Sequence, residues 1–284
     1  MRIAKIASAD GSAVIAIFPD GRAYIVNNSP KASIADALCR VAAGDLDSGL
    51  SLYAETQFNF EALLIPIDDD ARILCAGFNF SAHAVESDRE LPSHPTFFTR
   101  FASSLVGPND PIERPLASDT LDWEGEVAVM IGKGGRDITQ DQASEHIGGY
   151  LCFGDHSIRE FQTHSTQATA GKNFDRSGSA GPWIVTPDEL PPSDSLEVMT
   201  WLNGEKVQHG KLTDLVFNVS ALIAYASSFM ELRPGDVIAT GTPSGIGARR
   251  IPPRFLKQED EIVVEVPGIG RLTNRVNNQK GKKP

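Results

Sequence analysis

Cysteine is scarce in this chain of 284 residues: Cys39, Cys75 and Cys152 are few, widely spaced and odd in number. That spacing excludes a disulfide framework and a paired-thiol metal knuckle, and it suits thiols kept reduced. No apolar run approaches the roughly 20 residues that a membrane-spanning helix needs. The N-terminus, Met1-Arg2-Ile3-Ala4-Lys5-Ile6, carries no sustained apolar stretch, so no secretory signal is expected and a cytoplasmic location is. Positive charge is also short: 26 Lys and Arg stand against 37 Asp and Glu, a formal net charge of −11. A surface of that sign repels nucleic acid and anionic membranes as partners. The one basic run, Lys280-Gly281-Lys282-Lys283, lies at the C-terminal end and reads as a frayed tail. The Gly-rich loop Thr240-Gly241-Thr242-Pro243-Ser244-Gly245-Ile246-Gly247 lacks the Gly-Lys-Ser/Thr ending of a phosphate loop. Arg249 to Pro253 after it cannot continue the helix of a dinucleotide site. With no Gly-x-Ser-x-Gly elbow, a serine hydrolase is not expected either.

The order of elements is not the regular strand–helix alternation of a doubly wound sheet or an eight-fold barrel. Ile3–Ala7, Val14–Phe18 and Ala23–Val26 read as short strands, with Asp10-Gly11 and Asp20-Gly21 as turns between them. Ser33 is placed to cap a helix from Ile34 to about Ala43, and a second helix is expected over about Leu52 to Leu63. Pro66 and Asp68-Asp69-Asp70 read as a linker, giving a small α+β module over 1–68 and a main domain over 69–284. The main domain opens with the buried-strand pattern Arg72 to Ala76. It continues with short strands at Trp183–Val185, Leu196–Leu202, Asp236–Ala239 and Glu261–Val266. Helices are expected at Ser81–Glu90, Gln140–His146 and Leu215 to about Met230. A β-rich α+β fold follows.

The most informative stretch runs from Leu121 to Lys133, Leu-Asp-Trp-Glu-Gly-Glu-Val-Ala-Val-Met-Ile-Gly-Lys. It reads as a strand whose apolar run, Val127 to Ile131, predicts burial on both faces. Side chains alternate along a strand, so Glu124 and Glu126 project from one face with Cα atoms about 6–7 Å apart. Two carboxylates on a buried strand cannot stay ionised alone; they need cations, protons or a metal. Asp155, at the end of a second buried strand in Tyr150-Leu151-Cys152-Phe153-Gly154-Asp155, supplies a third carboxylate. An oxygen-only set of three suits Mg²⁺, Mn²⁺ or Ca²⁺ rather than Zn²⁺ and leaves positions for water and a chelating substrate. Acids alternating on a solvated strand remain the bland alternative.

Three further stretches carry possible chemistry. His83 and Glu86 are three apart, so on a helix they share a face, and a carboxylate beside an imidazole makes it a better base. That helix, preceded by Gly77 and followed by polar Ser87 to His94, suits a lid; an incidental surface pair is the alternative. Lys172, in Gly171-Lys172-Asn173-Phe174-Asp175 and preceded by Arg159 and Gln162, could hold a substrate carboxylate or an oxyanion, or be a solvated lysine. The loop Thr240 to Gly247 offers backbone amides as an anion nest.

Taken together and in this order, the motifs resemble the fumarylacetoacetate hydrolase family. The resemblance covers roughly Arg72 to Val276. It runs through Gly77-Phe78-Asn79-Phe80 with His83 and Glu86, Pro95-Thr96-Phe97-Phe98-Thr99-Arg100, and Asp122-Trp123-Glu124-Gly125-Glu126. Asp155-His156-Ser157-Ile158-Arg159-Glu160, Gln162, Lys172, Gly181-Pro182-Trp183, Pro234-Gly235-Asp236 and Thr240-Gly241-Thr242-Pro243-Ser244-Gly245 extend it. The resemblance implies a mixed β-sandwich or roll, usually dimeric. It implies that Glu124, Glu126 and Asp155 bind Mg²⁺ or Mn²⁺, with Ca²⁺ as a non-physiological occupant. It implies that His83 and Glu86 form a water-activating dyad, and that Lys172, Gln162 and Thr242 contact substrate; Arg100 and Arg159 are further substrate-binding candidates. Phe80 stands where the family often has Tyr, and Arg100 where it often has Lys. His164 to Gln167 replace aromatic residues in a short connection. The implied activity is hydrolysis of a C–C bond in a 2,4-diketo acid, giving pyruvate and a carboxylic acid. Oxaloacetate decarboxylation, or isomerisation and decarboxylation of dienedioates, is the alternative on the same enolate chemistry.

Overall fold

The computed structural model describes residues 1–8, 11–17, 23–29, 32–43, 51–53, 60–87 and 90–281. Two sheets and a short ribbon carry the fold. The large sheet has 12 strands, and its main path begins Ser51–Tyr53, Ala23–Ser29, Gly11–Ile17, Arg2–Ser8. It continues Gly178–Val185, Ile147–Gly154, Gly125–Ile131, Val237–Ala239, Ile73–Gly77, Thr96–Arg100. The second sheet has five strands in the order Glu205–Lys211, Glu197–Leu202, Glu261–Val266, Gly270–Asn278, Ile112–Arg114. This is the expected β-rich mixed architecture.

The strand Gly125–Ile131 is buried along its whole length. Val127, Val129 and Ile131 enter one core with Leu222, Val264 and Leu272, while Ala128 and Met130 enter another with Ile34, Leu38 and Phe153. Alternation thus splits the run between two apolar layers, and each fully buried Val, Ile or Met contributes about 1.5–3 kcal/mol. Close sheet packing requires Gly125: a Cβ there would lie 2.1 Å from Thr200 Oγ1.

The first strands do not form a sheet of their own. Arg2–Ser8 pairs antiparallel with Gly178–Val185, matching Arg2 to Val185 and Ile3 to Ile184. Ile3 and Ile184 are both buried at this pairing, and the shared ladder leaves no exposed edge between the two strands. Helix Ile34–Ala42 forms as expected, with Ser33 Oγ accepting from Asp36 N. Asp68, read as linker, instead holds that helix by accepting from Ser33 Oγ, Ile34 N and Ala35 N, and it pairs with Lys5. A carboxylate at a helix start satisfies free amides and the dipole together.

Four helix expectations change. Leu52 is in strand Ser51–Tyr53, and Phe60–Ala62 is a single 3-10 turn before strand Leu63–Leu64; residues 54–59 lie outside the described residues, as do Asp10 and Asp20-Gly21 of the expected turns. Ser81–Glu86 is shorter than expected, and Leu215 precedes a helix that starts at Val219, where Asn218 caps by accepting from Ala221 N. Only Ala143–His146 of the stretch Gln140–His146 is helical, as a 3-10 turn.

Candidate metal and acid–base site

The ribbon places the carboxylates. Leu121–Asp122 pairs antiparallel with Ser157–Ile158, matching Asp122 to Ser157, and Asp155 N donates to Glu124 O at 2.8 Å. Glu124 precedes the strand Gly125–Ile131, and Asp155 follows the strand Ile147–Gly154, which pair with each other throughout. Two neighbouring strands ending together therefore bring the acids to one point. Ligand oxygens of Glu124, Glu126 and Asp155 lie within 4.8 Å of one another, and all three residues are buried.

Cations crowd two of the three. Lys172 Nζ donates to Glu124 Oε2 at 2.7 Å, Asp155 Oδ2 at 2.6 Å and Asp155 O at 2.8 Å. An ammonium has three protons, so all its donors are engaged. Arg159 pairs through Nη1 with Glu124 at 2.5 Å and through Nε with Asp122 at 2.8 Å. Arg100 Nη1 binds Asp155 Oδ1 at 2.8 Å. Glu126 accepts from Gly241 N at 2.8 Å and, alone of the three, pairs with no cation among the described residues.

The charges respond accordingly. Burial raises the Glu124 carboxyl, but Lys172, Arg159 and His83 outweigh it and hold the group far below the usual carboxylate range. Burial, then the Asp155 and Glu124 charges, push Glu126 well above that range. Burial works against the Lys172 ammonium, yet Asp155 and Glu124 raise it, so it stays charged. Burial takes His156 down to about 3, keeping it neutral while its Nδ1 accepts from Glu124 N at 3.2 Å. The donor set is all oxygen and includes one carboxylate short of positive charge. It fits a hard divalent cation.

The dyad forms at 3.4 Å between His83 Nδ1 and Glu86 Oε2. Glu86 Oε1 accepts from Gly245 N at 2.9 Å, and Phe78 stacks on the His83 ring with centroids 5.9 Å apart. Burial raises the Glu86 carboxyl, but the bonds from His83 and Gly245 win and lower it. His83 thus keeps an ionised carboxylate beside it. Amides of the loop 240–247, expected to form an anion nest, and of Ala248 beside it are taken up by this chain's own carboxylates. Gly241 N donates to Glu126, Gly245 N to Glu86, and Gly247 and Ala248 N to Asp122.

The substrate-side candidates are distributed differently from expectation. Arg100 is enclosed, with its remaining bonds going to Ser104, Ser177 and His156 O. No face is left for a substrate; the guanidinium sits behind Asp155, where its charge offsets part of the cost of burying that carboxylate. Thr242 Oγ1 donates to Gly125 O at 3.0 Å and accepts from Gln208 Nε2 at 2.9 Å, so it ties the loop to the strand. Gln162 Oε1 accepts from Arg159 Nη1 at 3.0 Å, and Arg159 Nη2 is a buried donor without a partner among the described residues. Phe80 is buried, and His164 to Gln167 are exposed. A surface cavity of about 610 Å³ at Arg114, Arg254 and Lys257 contains none of these residues.

Sequence reasoning gave no role to Asp122, His156 or Gln208. Asp122 had a readable signal: it stands two residues before Glu124 on an extended chain, hence on the same face. His156 and Gln208 act through backbone amides, for which side-chain spacing carries no sign.

The comparisons agree with this geometry. Residues 72–277 match the model described as "Fumarylacetoacetate (FAA) hydrolase C-terminal". "Oxaloacetate tautomerase fahd2, mitochondrial" of Xenopus laevis is 38% identical over 243 residues, 85% of this chain and 75% of the relative. A solved fumarylacetoacetate hydrolase of Exiguobacterium antarcticum superposes with a TM-score of 0.82 at 34% identity, covering 98% of this chain and all of that one. Maleylpyruvate hydrolase of Sphingobium sp. SYK-6, solved with manganese(II) and pyruvate, gives 0.78 at 25% identity over 99% of this chain and all of that one. No helix among the described residues is long and apolar enough to cross a membrane. Family match, shared fold and carboxylate triad agree: this chain belongs to the fumarylacetoacetate hydrolase family.

Proposed function

We propose that this protein is a divalent-metal-dependent enzyme that moves a proton at the carbon beside the 2-oxo group of a small dicarboxylic 2-oxo acid, interconverting the keto and enol forms of an oxaloacetate-like substrate. The observation that carries this reading is the division of labour at the site. All three donors of Lys172 are engaged by Glu124 and Asp155, which leaves the His83–Glu86 dyad as the group equipped for chemistry. The 38% identity to a relative named oxaloacetate tautomerase supports it.

Glu124, Glu126 and Asp155 would hold Mg²⁺ or Mn²⁺, which would supply Lewis-acid polarisation of the substrate's carboxylate and 2-oxo oxygens. Manganese in the maleylpyruvate hydrolase favours the same class of ion. Arg100 and Lys172 act as positioning residues: Arg100 holds Asp155, and Lys172 bridges Asp155 and Glu124. With Nδ1 turned to Glu86, the His83 proton sits on Nδ1 and Nε2 is the base. Nε2 takes the C3 proton, the C3–H pair becomes the C2–C3 double bond, and the 2-oxo oxygen takes up a proton from solvent. The protein is further read as a cytoplasmic homodimer acting on a small molecule, with no nucleic-acid or membrane partner; light scattering tests the dimer.

A second reading, hydrolysis of a 2,4-diketo acid, is favoured by the unpartnered Arg159 Nη2 beside Gln162, a donor available to a tetrahedral oxyanion. In that reaction His83 takes a proton from water and the water oxygen attacks the distal carbonyl; the pair of the breaking C–C bond passes to C3 of pyruvate, which takes the proton back from His83, giving pyruvate and a carboxylic acid. One panel separates the two. With Mn²⁺ or Mg²⁺, faster loss of the oxaloacetate enol absorbance without pyruvate supports tautomerisation. Pyruvate with an equal amount of carboxylic acid from an acylpyruvate overturns it in favour of hydrolysis. Pyruvate and CO₂ from oxaloacetate overturn it in favour of decarboxylation.

A further inference from the structure

Asp122 is buried and accepts four hydrogen bonds that join two separate parts of the molecule. Oδ1 accepts from Trp123 N at 2.8 Å and Gly247 N at 2.7 Å. Oδ2 accepts from Arg159 Nε at 2.8 Å and Ala248 N at 2.9 Å. Through Arg159 it reaches Glu124 of the triad. Through Gly247 and Ala248 it grips the loop whose Gly245 N holds Glu86. The next residue grips the same loop: Trp123 Nε1 donates to Gly245 O at 3.0 Å. Just beyond, Arg249 Nη2 donates to Ser87 O at 2.9 Å, at the end of the helix that carries His83 and Glu86.

That helix is only six residues long, Ser81–Glu86, too short to hold its own geometry in water. Its acid–base pair therefore depends on what docks it. The docking loop packs tightly at this point: a Cβ on Gly247 would lie 1.9 Å from Arg254 O and 2.7 Å from Asp122 Oδ1. A loop seated that closely transmits its position to Gly245, and so to Glu86.

We infer that Asp122, with Trp123 beside it, is a positioning residue that fixes the 245–249 loop under Glu86 and so ties the His83–Glu86 dyad to the carboxylate triad. The inference rests on the acid–base role proposed for that dyad. Asp122 touches no reacting atom; it acts by the amides and the guanidinium it holds. An Asn in its place keeps one acceptor oxygen but turns an NH₂ group toward two of the four donors, which leaves those donors unpaired.

The test uses the full chain loaded with Mn²⁺. In Asp122→Asn, backbone hydrogen exchange of the peptide spanning 244–249 should quicken by roughly tenfold or more, since the loop then opens locally. Turnover should fall in kcat with KM little changed. The double variant Asp122→Asn with Glu86→Gln should be no slower than Glu86→Gln alone, because both act through one group. Trp123→Phe, which removes one donor to Gly245 O and keeps a ring in the core, should move the same readouts in the same direction by less, and it carries the test if Asp122→Asn fails to fold. Unchanged exchange at 244–249, or losses that add in the double variant, would overturn the inference. The exchange arm needs no substrate, so it stands or falls separately from the proposed reaction.

Discussion

The two ends of the site are built in opposite ways. The triad sits at the ends of two central strands buried on both faces, and three cations, Lys172, Arg100 and Arg159, pack against two of its acids. The dyad sits on a six-residue helix at the sheet's periphery, where a few loop contacts hold it and Val85 on the same helix is exposed. The contrast teaches where rigidity is needed. Three carboxylates stay within ligand distance only if the surrounding structure enforces it, whereas a helix of six residues keeps its acid–base pair in place only through the few loop bonds that dock it.

The sharpest way to break this comparison is at the rigid end. Glu126→Ala removes the triad acid that lacks a cation, and metal-dependent turnover should fall to the uncatalysed rate, with Mn²⁺ binding lost in calorimetry. Full activity in that variant after chelation would refute the metal assignment. At the lightly held end, His83→Ala should lower kcat by roughly 10²–10⁴-fold while Mn²⁺ affinity stays within error. Arg100→Ala tests the cation shell. Removing one partner of a buried pair should destabilise the metal-free protein by about 3–5 kcal/mol in chemical denaturation. It should also weaken Mn²⁺ binding by roughly 10–100-fold. A stable variant with normal affinity would return Arg100 to the substrate side.

The same contrast governs what the sequence reveals. The run Val127 to Ile131 announced a strand buried on both faces, and the Glu124–Glu126 alternation placed two acids together because strand geometry is local. The meeting with Asp155 was legible only as the end of a second buried strand; the pairing of the two strands is tertiary. Arg100 and Thr242 carry side chains that suit a substrate as well as a carboxylate or a carbonyl, so their partners decide, and those lie 55 and 117 positions away. Asp68 looked like linker because acidic runs usually are solvated; its bonds to the start of Ile34–Ala42 depend on a chain reversal that no local pattern encodes. The first three strands were readable as strands, but their edge was not, since pairing Ile3 with Ile184 spans most of the chain.

The finest division between the ends is in how they respond to pH. Glu126 lies above the ordinary carboxylate range in the metal-free protein, first by burial and then by its neighbours' charges. Its unfolded counterpart titrates near the usual value, so between the two the native state binds more protons than the unfolded state. By linkage, this group's contribution to stability is present below the unfolded value and is lost as pH rises toward the native one. A divalent cation needs the ionised form and must expel that proton, so its apparent affinity should rise with pH, by at most about tenfold per unit, and level off once Glu126 is ionised. Glu86 lies on the other side: it is held low, so the dyad's carboxylate stays ionised across the same window. Calorimetry with Mn²⁺ in buffers of different ionisation heat should show proton release that shrinks as pH rises. The melting-temperature gain from Mn²⁺ should grow over the same range. A metal affinity that stays flat across that window would mean that Glu126 is already ionised before the cation arrives, with a neighbouring cation supplying the compensation.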